Sequence, residues 1–399
     1  MSERGWLTPN VKTLSGVSFL QDAASELLYP VLPIFLTVTL GAPAAAVGAV
    51  EGVAEGVAAL AKLVLGRLSD GRMKRPFIAL GYGLAALGKV LIAVATVWPV
   101  VLAGRGVDRL GKGVRGAPRD ALLMVDVQVH HRGRVFGFHR AADTMGAVVG
   151  PALGLLLFEL LDHRIRPLLL IAVVPAVLSV LLVAVVREAA PTGPRTPVVQ
   201  VSATGLGPEL RRVIALLTLF GLVNFPDALL LLRAHDLGLS TAGVIAAYLV
   251  YNLVYAAASY PAGALSDRVP RQRIFALGLV FFAVGYLGLG LIAAPWLVFV
   301  LLPLYGGFAA CTDGVGKAWV SSLAPEDRQG SAQGLYQALS GGAILFAGLW
   351  AGLAWNGNGV VPLLVSGSTA VVDAVVVLFG RFEVSAASRV RPVGPGPAR

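Results

Sequence analysis

GRLSDGRMKRPFIALG (residues 66–81) and GALSDRVPRQRIFALG (residues 263–278) are one pattern written twice in a chain of 399 residues. In both, Gly-x-Leu-Ser-Asp leads into a basic turn and then an apolar run, so Asp70 and Asp267 occupy matching positions. A second pair agrees at nearly the same offset: HHRGRVFGF (130–138) resembles EDRQGSAQG (326–334). Repetition at half the chain length points to two related units joined in series.

Composition decides the solvent around them. The chain is 56% hydrophobic and only 14% charged, with a mean hydropathy of +0.78. A soluble domain carries about 25% charged residues, so lipid is the medium that fits. Spanning a bilayer takes roughly 20 mostly apolar residues. Twelve such stretches fall near 15–40, 44–66, 77–97, 99–123, 136–158, 167–186, 212–233, 241–265, 274–293, 296–321, 331–354 and 360–380. Asp227 and Asp373 interrupt the seventh and twelfth. The expected fold is an all-α integral membrane protein of twelve transmembrane helices in two pseudo-symmetric six-helix bundles. Its parts are residues 1–186, a Pro- and Gly-rich linker at 187–211, and residues 212–399 with a short basic tail. The polar start, MSERGWLTPNVK, and a long first apolar stretch do not fit a cleavable signal.

The net charge of +10 is explained by topology. Arg67, Arg72, Lys74 and Arg75 follow the second stretch, and Arg132 and Arg134 the fourth. Further arginines fill the linker, the turn at Arg268, Arg271 and Arg273, and the tail. The opposite connections (LGAPAA, ATVWP, AAPW, NGNG) are short and nearly neutral. Basic loops stay in the cytoplasm, which predicts that both termini and the linker are cytoplasmic, and nucleic acid is not an expected partner. A single cysteine, Cys311, excludes an internal disulfide or CxxC site. No HExxH or Ser/His constellation suggests an enzyme, no GxxxxGK[ST] suggests an ATP motor, and no cofactor is called for. A metal or metal-chelate carrier would need clustered ligands. Cys311, Asp313 and His235 are brought together by no sequence argument.

One stretch departs from the apolar rule. DRLGKGVRGAPRD (108–120) extends a charged stripe: at 100° per residue, Arg105, Asp108, Arg109, Lys112, Arg115 and Arg119 fall within an arc of roughly 120°. Gly104 and Gly111 border one side and Gly106 and Gly113 the other, an arrangement that lets helices approach closely. Charges facing hydrocarbon are expensive, so the stripe faces protein or a water-filled cavity. Arg105, Asp108, Arg109 and Lys112 are therefore candidates for a central cavity or for buried ion pairs. Acids lie in neighbouring stretches: Asp22 and Glu26 on one face, Glu51 and Glu55 on another, and Asp143 beside Arg140. Lys89 stands alone in the third stretch. A carboxylate inside a membrane is driven neutral by desolvation and charged by a nearby base. A conformational cycle that alters both effects lets it load and release a proton. Glu26 is the first candidate, then Glu55, Asp22, Glu51 and Asp143; fixed salt bridges to the stripe are the alternative.

The second unit is leaner in charge, with Asn224 and Asp227 around Pro226, Tyr251, Asn252 and Tyr255, and Asp313 and Lys317 at i,i+4. Under the repeat, Asn252 matches Glu55. This asymmetry predicts proton handling in the first unit and cargo contacts shared between both.

These segments also carry a resemblance over nearly the whole length: the chain resembles the major facilitator superfamily. Gly66, Leu68, Asp70, Arg72, Lys74 and Arg75 look like that family's signature loop between helices two and three, with Asp267, Arg268 and Arg271 in its copy. The match departs at Gly71 and Met73, where the family usually has a basic residue and a glycine. The resemblance implies a cytoplasmic gate in these residues, with Asp126 as the acid that latches it. GAVVGPALG (Gly146, Gly150, Pro151, Gly154) resembles the family's antiporter motif in helix five. SFLQDAASELLYPVLPIFL (18–36) and GKGVRGAPRDALL (111–123) are similar to a prokaryotic efflux-permease-like branch. By this resemblance the protein is expected to be a monomeric secondary transporter of a prokaryotic plasma membrane, working by alternating access. The expected activity is proton-coupled export of a small organic molecule, with proton-coupled uptake as the alternative. The bases of the stripe suit an anionic cargo.

Overall fold

In the computed structural model, the described residues are 6–68, 73–123, 125, 127, 132–188, 207–266, 268–324 and 329–380. Asp70, Arg72, Asp126 and Asp267 of the expected gate lie outside them, as do residues 189–206 of the expected linker and the tail from 381.

The described chain is helical. Thr8 starts α1 (Pro9–Leu28), its Oγ1 accepting from the Val11 amide at 3.3 Å, with proline in the first turn where no amide is needed. Pro30 and Pro33 then break the regular ladder. A 3-10 turn (Tyr29–Val31), the short α2 (Leu32–Ile34) and a π-turn (Phe35–Thr39) complete the first expected span. There follow α3 (Ala44–Leu68), α4 (Arg75–Val94), α5 (Trp98–Leu123), α6 (Arg132–Leu160) and α7 (Ile165–Val183). The second series is α8 (Pro208–Gly221), α9 (Asp227–Asp236), α10 (Thr241–Ser266), α11 (Arg271–Leu291), α12 (Val298–Leu323), α13 (Gln329–Leu353) and α14 (Val360–Phe379).

Among the described residues, nine helices are long and apolar enough to cross a membrane. The other three expected stretches fall short for different physical reasons. The first is divided at its prolines, and the fourth, α5, is continuous but bears the charged stripe. The seventh was expected as one helix and is two, because Pro226 cannot donate to the ladder and the chain straightens over residues 224–226.

Helices before residue 189 pack mainly among themselves, α1 on α6 and α7, and α5 on α3 and α4. Those after residue 206 do likewise, α12 on α10 and α11, and α14 on α11. The two groups meet along α3–α13 and α6–α10. Their outer faces display Leu170, Val174, Leu181, Leu291, Val372 and Phe379, an apolar belt suited to lipid tails.

Close packing explains several glycines. A Cβ on Gly104 would stand 2.8 Å from the Gly88 carbonyl oxygen, and one on Gly88 the same distance from the Asp108 amide, so α4 and α5 touch backbone to backbone. Gly111 meets α4 and Gly113 meets Ala61 of α3, whereas Gly106 faces open space rather than a neighbouring helix. Gly146 and Gly150 seat α6 on α1, where an added Cβ would lie 2.7 Å from the carbonyl oxygens of Phe19 and Ala23 respectively. Gly154 continues the seam at 3.2 Å from the Leu27 carbonyl, and Pro151 sits inside the same helix.

Candidate functional site

The charged stripe divides into three environments. In the first, Arg105 is 1% exposed and grips Glu51 of α3 with two parallel bonds, Nε to Oε1 at 2.7 Å and Nη2 to Oε2 at 2.6 Å. Its guanidinium also lies 5.5 Å from the centroid of the Tyr29 ring and 3.7 Å from Asp108. Asp108 in turn accepts from Lys89 Nζ of α4 at 2.8 Å. Lys89, read from sequence as isolated, is therefore the fourth member of a buried chain of alternating charge. Of the two expected roles, cavity or buried ion pair, Arg105 and Asp108 take the ion pair: both are sealed between helices. Bidentate geometry and mutual neutralisation are what make four buried charges tolerable.

One turn further along α5, Arg109 and Lys112 reach a deep cavity of about 380 Å³ between the two helix groups. The first group lines it with Glu26, Glu51, Glu55, Arg109 and Lys112, and the second with Asn224, Asp227, Tyr248, Tyr251, Tyr305 and Asp313. Arg109 Nε stands 3.6 Å from Glu55. Tyr248 of α10 donates to Glu26 of α1 at 2.6 Å, a direct bond from one group to the other. Asp227 accepts from Tyr251 at 3.0 Å and Tyr305 at 2.7 Å, and Asp313 accepts from Tyr255 at 2.8 Å. Asp313 and Lys317, at i,i+4 on α12, form no ion pair with each other among the described residues. Asn252 is buried and donates to the Tyr248 carbonyl of its own helix at 3.1 Å, so it does not line this cavity.

The third environment is a vestibule of about 560 Å³ at the end of the bundle where the basic loops lie. Lys112, Arg115, Arg119, Arg140 and Lys317 line it together with Asp22, Asp120 and Asp143. Lys112 belongs to both spaces. Arg115 stacks 4.3 Å over the Tyr82 ring, while Arg119 pairs with Asp120 at 2.9 Å and donates to Ser18 at 3.1 Å. His139 sits between Ser15 and Ser18, at 3.4 Å from each, and 3.8 Å from Asp143. Nothing in the spacing of the histidines signalled this cluster. A further space of about 900 Å³ lies beside α6 and α10 and shares Arg140 and Lys317 with the vestibule.

At the opposite end the two groups are closed. Gly48 and Gly348 face each other, and a Cβ on Gly348 would come 2.5 Å from the Gly48 carbonyl oxygen. Gly352 against Ala45 and Gly52 against the Leu345 carbonyl continue the same seam. Of the expected gate, Lys74 and Arg75 are held by Glu188, whose carboxylate accepts from their amides at 2.6 Å and 2.7 Å at the start of α4. Arg75 also donates to the Ala184 carbonyl at 2.7 Å. Arg268 is exposed, and the Nε of Arg271 is buried without a hydrogen-bond partner. Cys311 packs in an apolar cluster, and His235 lines a different pocket from Asp313, so the three conceivable metal ligands do not converge.

A family model described as Major Facilitator Superfamily matches residues 14–232 and 213–398. The chain belongs to the major facilitator superfamily. As a superfamily member it is a multi-pass membrane transporter acting on a small-molecule substrate in a lipid bilayer. An uncharacterized MFS-type transporter of Methanocaldococcus jannaschii is 31% identical over 380 residues, covering 94% of this chain and 95% of the relative. The class G tetracycline resistance protein of Vibrio anguillarum is 27% identical over 363 residues, covering 83% of this chain and 88% of its own. Among solved structures, the nucleoside transporter NupG superposes with a TM-score of 0.77 at 14% identity, over 93% of this chain and 98% of that one. A bacterial homolog of the human lysosomal transporter Spinster, in an inward-facing and unoccupied conformation, gives a TM-score of 0.70 at 15% identity, over 94% and 96%. At these identities the structures speak for the fold alone.

Proposed function

We propose that the protein is a proton-coupled secondary transporter that exports a small organic molecule by alternating access. In this reading α1–α2, α5 and α8–α9 span the bilayer beside the nine apolar helices, giving twelve spans in two six-helix bundles. Both termini and the linker are cytoplasmic, the location is a prokaryotic plasma membrane, and the unit is a monomer. The observation that carries the reading is the Tyr248–Glu26 hydrogen bond across the cavity. Rocking the bundles apart breaks this bond and changes the hydration of Glu26 together, which are the two changes a proton-loading carboxylate needs.

The closed Gly48–Gly348 seam and the charged vestibule at the basic end support reading this conformation as open to the cytoplasm. The Gly146–Gly154 motif supports antiport, because its glycines fix the α1 backbone at Asp22 and Glu26, with an added Cβ only 3.0 Å from each of those side chains' Cβ atoms. The tetracycline resistance relatives support outward movement of an organic cargo. The sequence argument for an anionic cargo rested on the α5 bases, and Arg105 of that stripe is consumed by Glu51.

The test is dissipation of an imposed pH gradient in sealed vesicles over a panel of organic cations, anions and neutral solutes. Cargo should collapse the gradient with the wild type and not with Glu26→Gln. Equal dissipation by both proteins removes Glu26 from coupling. Movement of labelled cargo with no dissipation by either removes proton coupling itself.

A further inference from the structure

We propose that the deep cavity receives a flat aromatic cation, an organic ammonium or iminium whose charge sits against Asp227 and Asp313. This deepens the carrier reading above and rests on it. The first ground is charge. The cavity is lined by five carboxylates, Glu26, Glu51, Glu55, Asp227 and Asp313, and by two cations, Arg109 and Lys112. Counting Arg105, which neutralises Glu51 from behind, the acids still outnumber the bases. The excess is not spread evenly. Among the described residues, the wall contributed by the second helix group carries Asp227 and Asp313 and no base, while Arg109 lies opposite with Glu55 at 3.6 Å. An anion entering this space would meet a wall of like charge.

The second ground is independent of charge count and concerns rings. Tyr248, Tyr251 and Tyr255 lie at i, i+3 and i+7 on α10, and Tyr305 and Phe308 on α12 extend the series. Tyr251 stacks on Tyr248 at 5.5 Å and 25° and on Tyr305 at 5.7 Å and 16°, and Tyr305 stacks on Phe308 at 5.3 Å and 26°. The hydroxyls of Tyr251 and Tyr305 are committed to Asp227, which locks the rings and leaves lone pairs on both carboxylate oxygens for a cation. Nearly parallel ring faces beside a carboxylate attract a positive charge through the ring quadrupole and accept a flat ring by stacking. A space of about 380 Å³ lies within the range of small-molecule sites. On the opposite side, the protein already makes this contact itself, with the Arg105 guanidinium over Tyr29.

The experiment is equilibrium dialysis of the purified protein against three probes. N-methylquinolinium and naphthalene-1-sulfonate share a two-ring shape and carry opposite permanent charges; tetraethylammonium has the charge without the rings. N-methylquinolinium should bind at least about tenfold more tightly than either, because the sulfonate lacks the attraction to carboxylates and ring faces and tetraethylammonium lacks the ring stacking. Asp227→Asn and Tyr251→Leu should each weaken it about tenfold, and Tyr305→Phe, which keeps the ring, should weaken it less. A preference for the sulfonate, or equal binding of all three, overturns the assignment and leaves the carrier reading standing. Binding of no probe at millimolar concentration also overturns it. Binding of N-methylquinolinium together with passage of the labelled compound into vesicles, and no dissipation of the pH gradient, supports the site and overturns proton coupling instead.

Discussion

A methyl group at Gly348 should force the transporter open on the side that is now closed. In Gly348→Ala the new Cβ would lie 2.5 Å from the Gly48 carbonyl oxygen and 3.3 Å from the Gly48 carbonyl carbon. Carbon–oxygen contacts settle near 3.3 Å or beyond, so α3 and α13 must part by about 0.8 Å. The obstructing atoms are backbone, and no rotamer change relieves them. Overpacking of this kind costs about 1–3 kcal/mol, and the cost vanishes in a state where the helix groups have separated at this end. An energy of that size shifts a two-state equilibrium by roughly 5- to 150-fold. The assay places a reporter cysteine at Asn224 on the cavity wall, after Cys311, the sole native cysteine, is changed to serine. A membrane-impermeant maleimide is then applied to right-side-out and inside-out vesicles. The parent should label from the face bearing the basic loops, and Gly348→Ala should move the preference toward the other face by at least about fivefold. Gly342→Ala, on the same helix where an added methyl meets open space, should change nothing. An unaltered labelling ratio in folded Gly348→Ala protein would refute the idea that this seam is the closure.

Two further outcomes concern stability. Arg105→Met leaves the buried Glu51 without its guanidinium and should cost about 3–5 kcal/mol in thermal unfolding of the detergent-solubilised protein, whereas Glu51→Leu combined with Arg105→Met should recover most of it. Arg233 donates to the carbonyls of Leu289 and Asn358 at 3.0 Å and of Ile292 at 3.4 Å, tying α9 to the end of α11 and the turn before α14. Arg233→Ala should lose roughly 1.5–3 kcal/mol, read as a lower melting temperature and faster proteolysis of that turn.

Much of this site is written along the chain, because helical order is local. The 100° step placed Asp22 with Glu26 and assembled the α5 stripe, but Asp22 lines the vestibule and Glu26 the cavity, and the stripe is shared among three environments. The breaks themselves were not read from the sequence: residues 15–40 and 212–233 were each expected as one span, and Pro30, Pro33 and Pro226 divide them. His139, Glu188 and Arg233 were not legible as functional or structural anchors. The partners of His139 are Ser15 and Ser18, those of Glu188 are the amides of residues 74 and 75, and those of Arg233 are carbonyls 56 to 125 positions away.

The sequence alone therefore determined a helical membrane protein of repeated halves, with a charged face on its fourth stretch. Only the tertiary structure decided which partners those charges meet and which of them line the cavity. Lys89 and Asp108, and Arg105 and Glu51, neutralise each other across helices at 2.6–2.8 Å, while Arg109 and Lys112 reach the cavity. Periodicity states the direction in which a side chain points. Compensation of a buried charge depends on which other helix stands within contact distance, and the Coulomb energy in a medium of low dielectric makes that difference decisive.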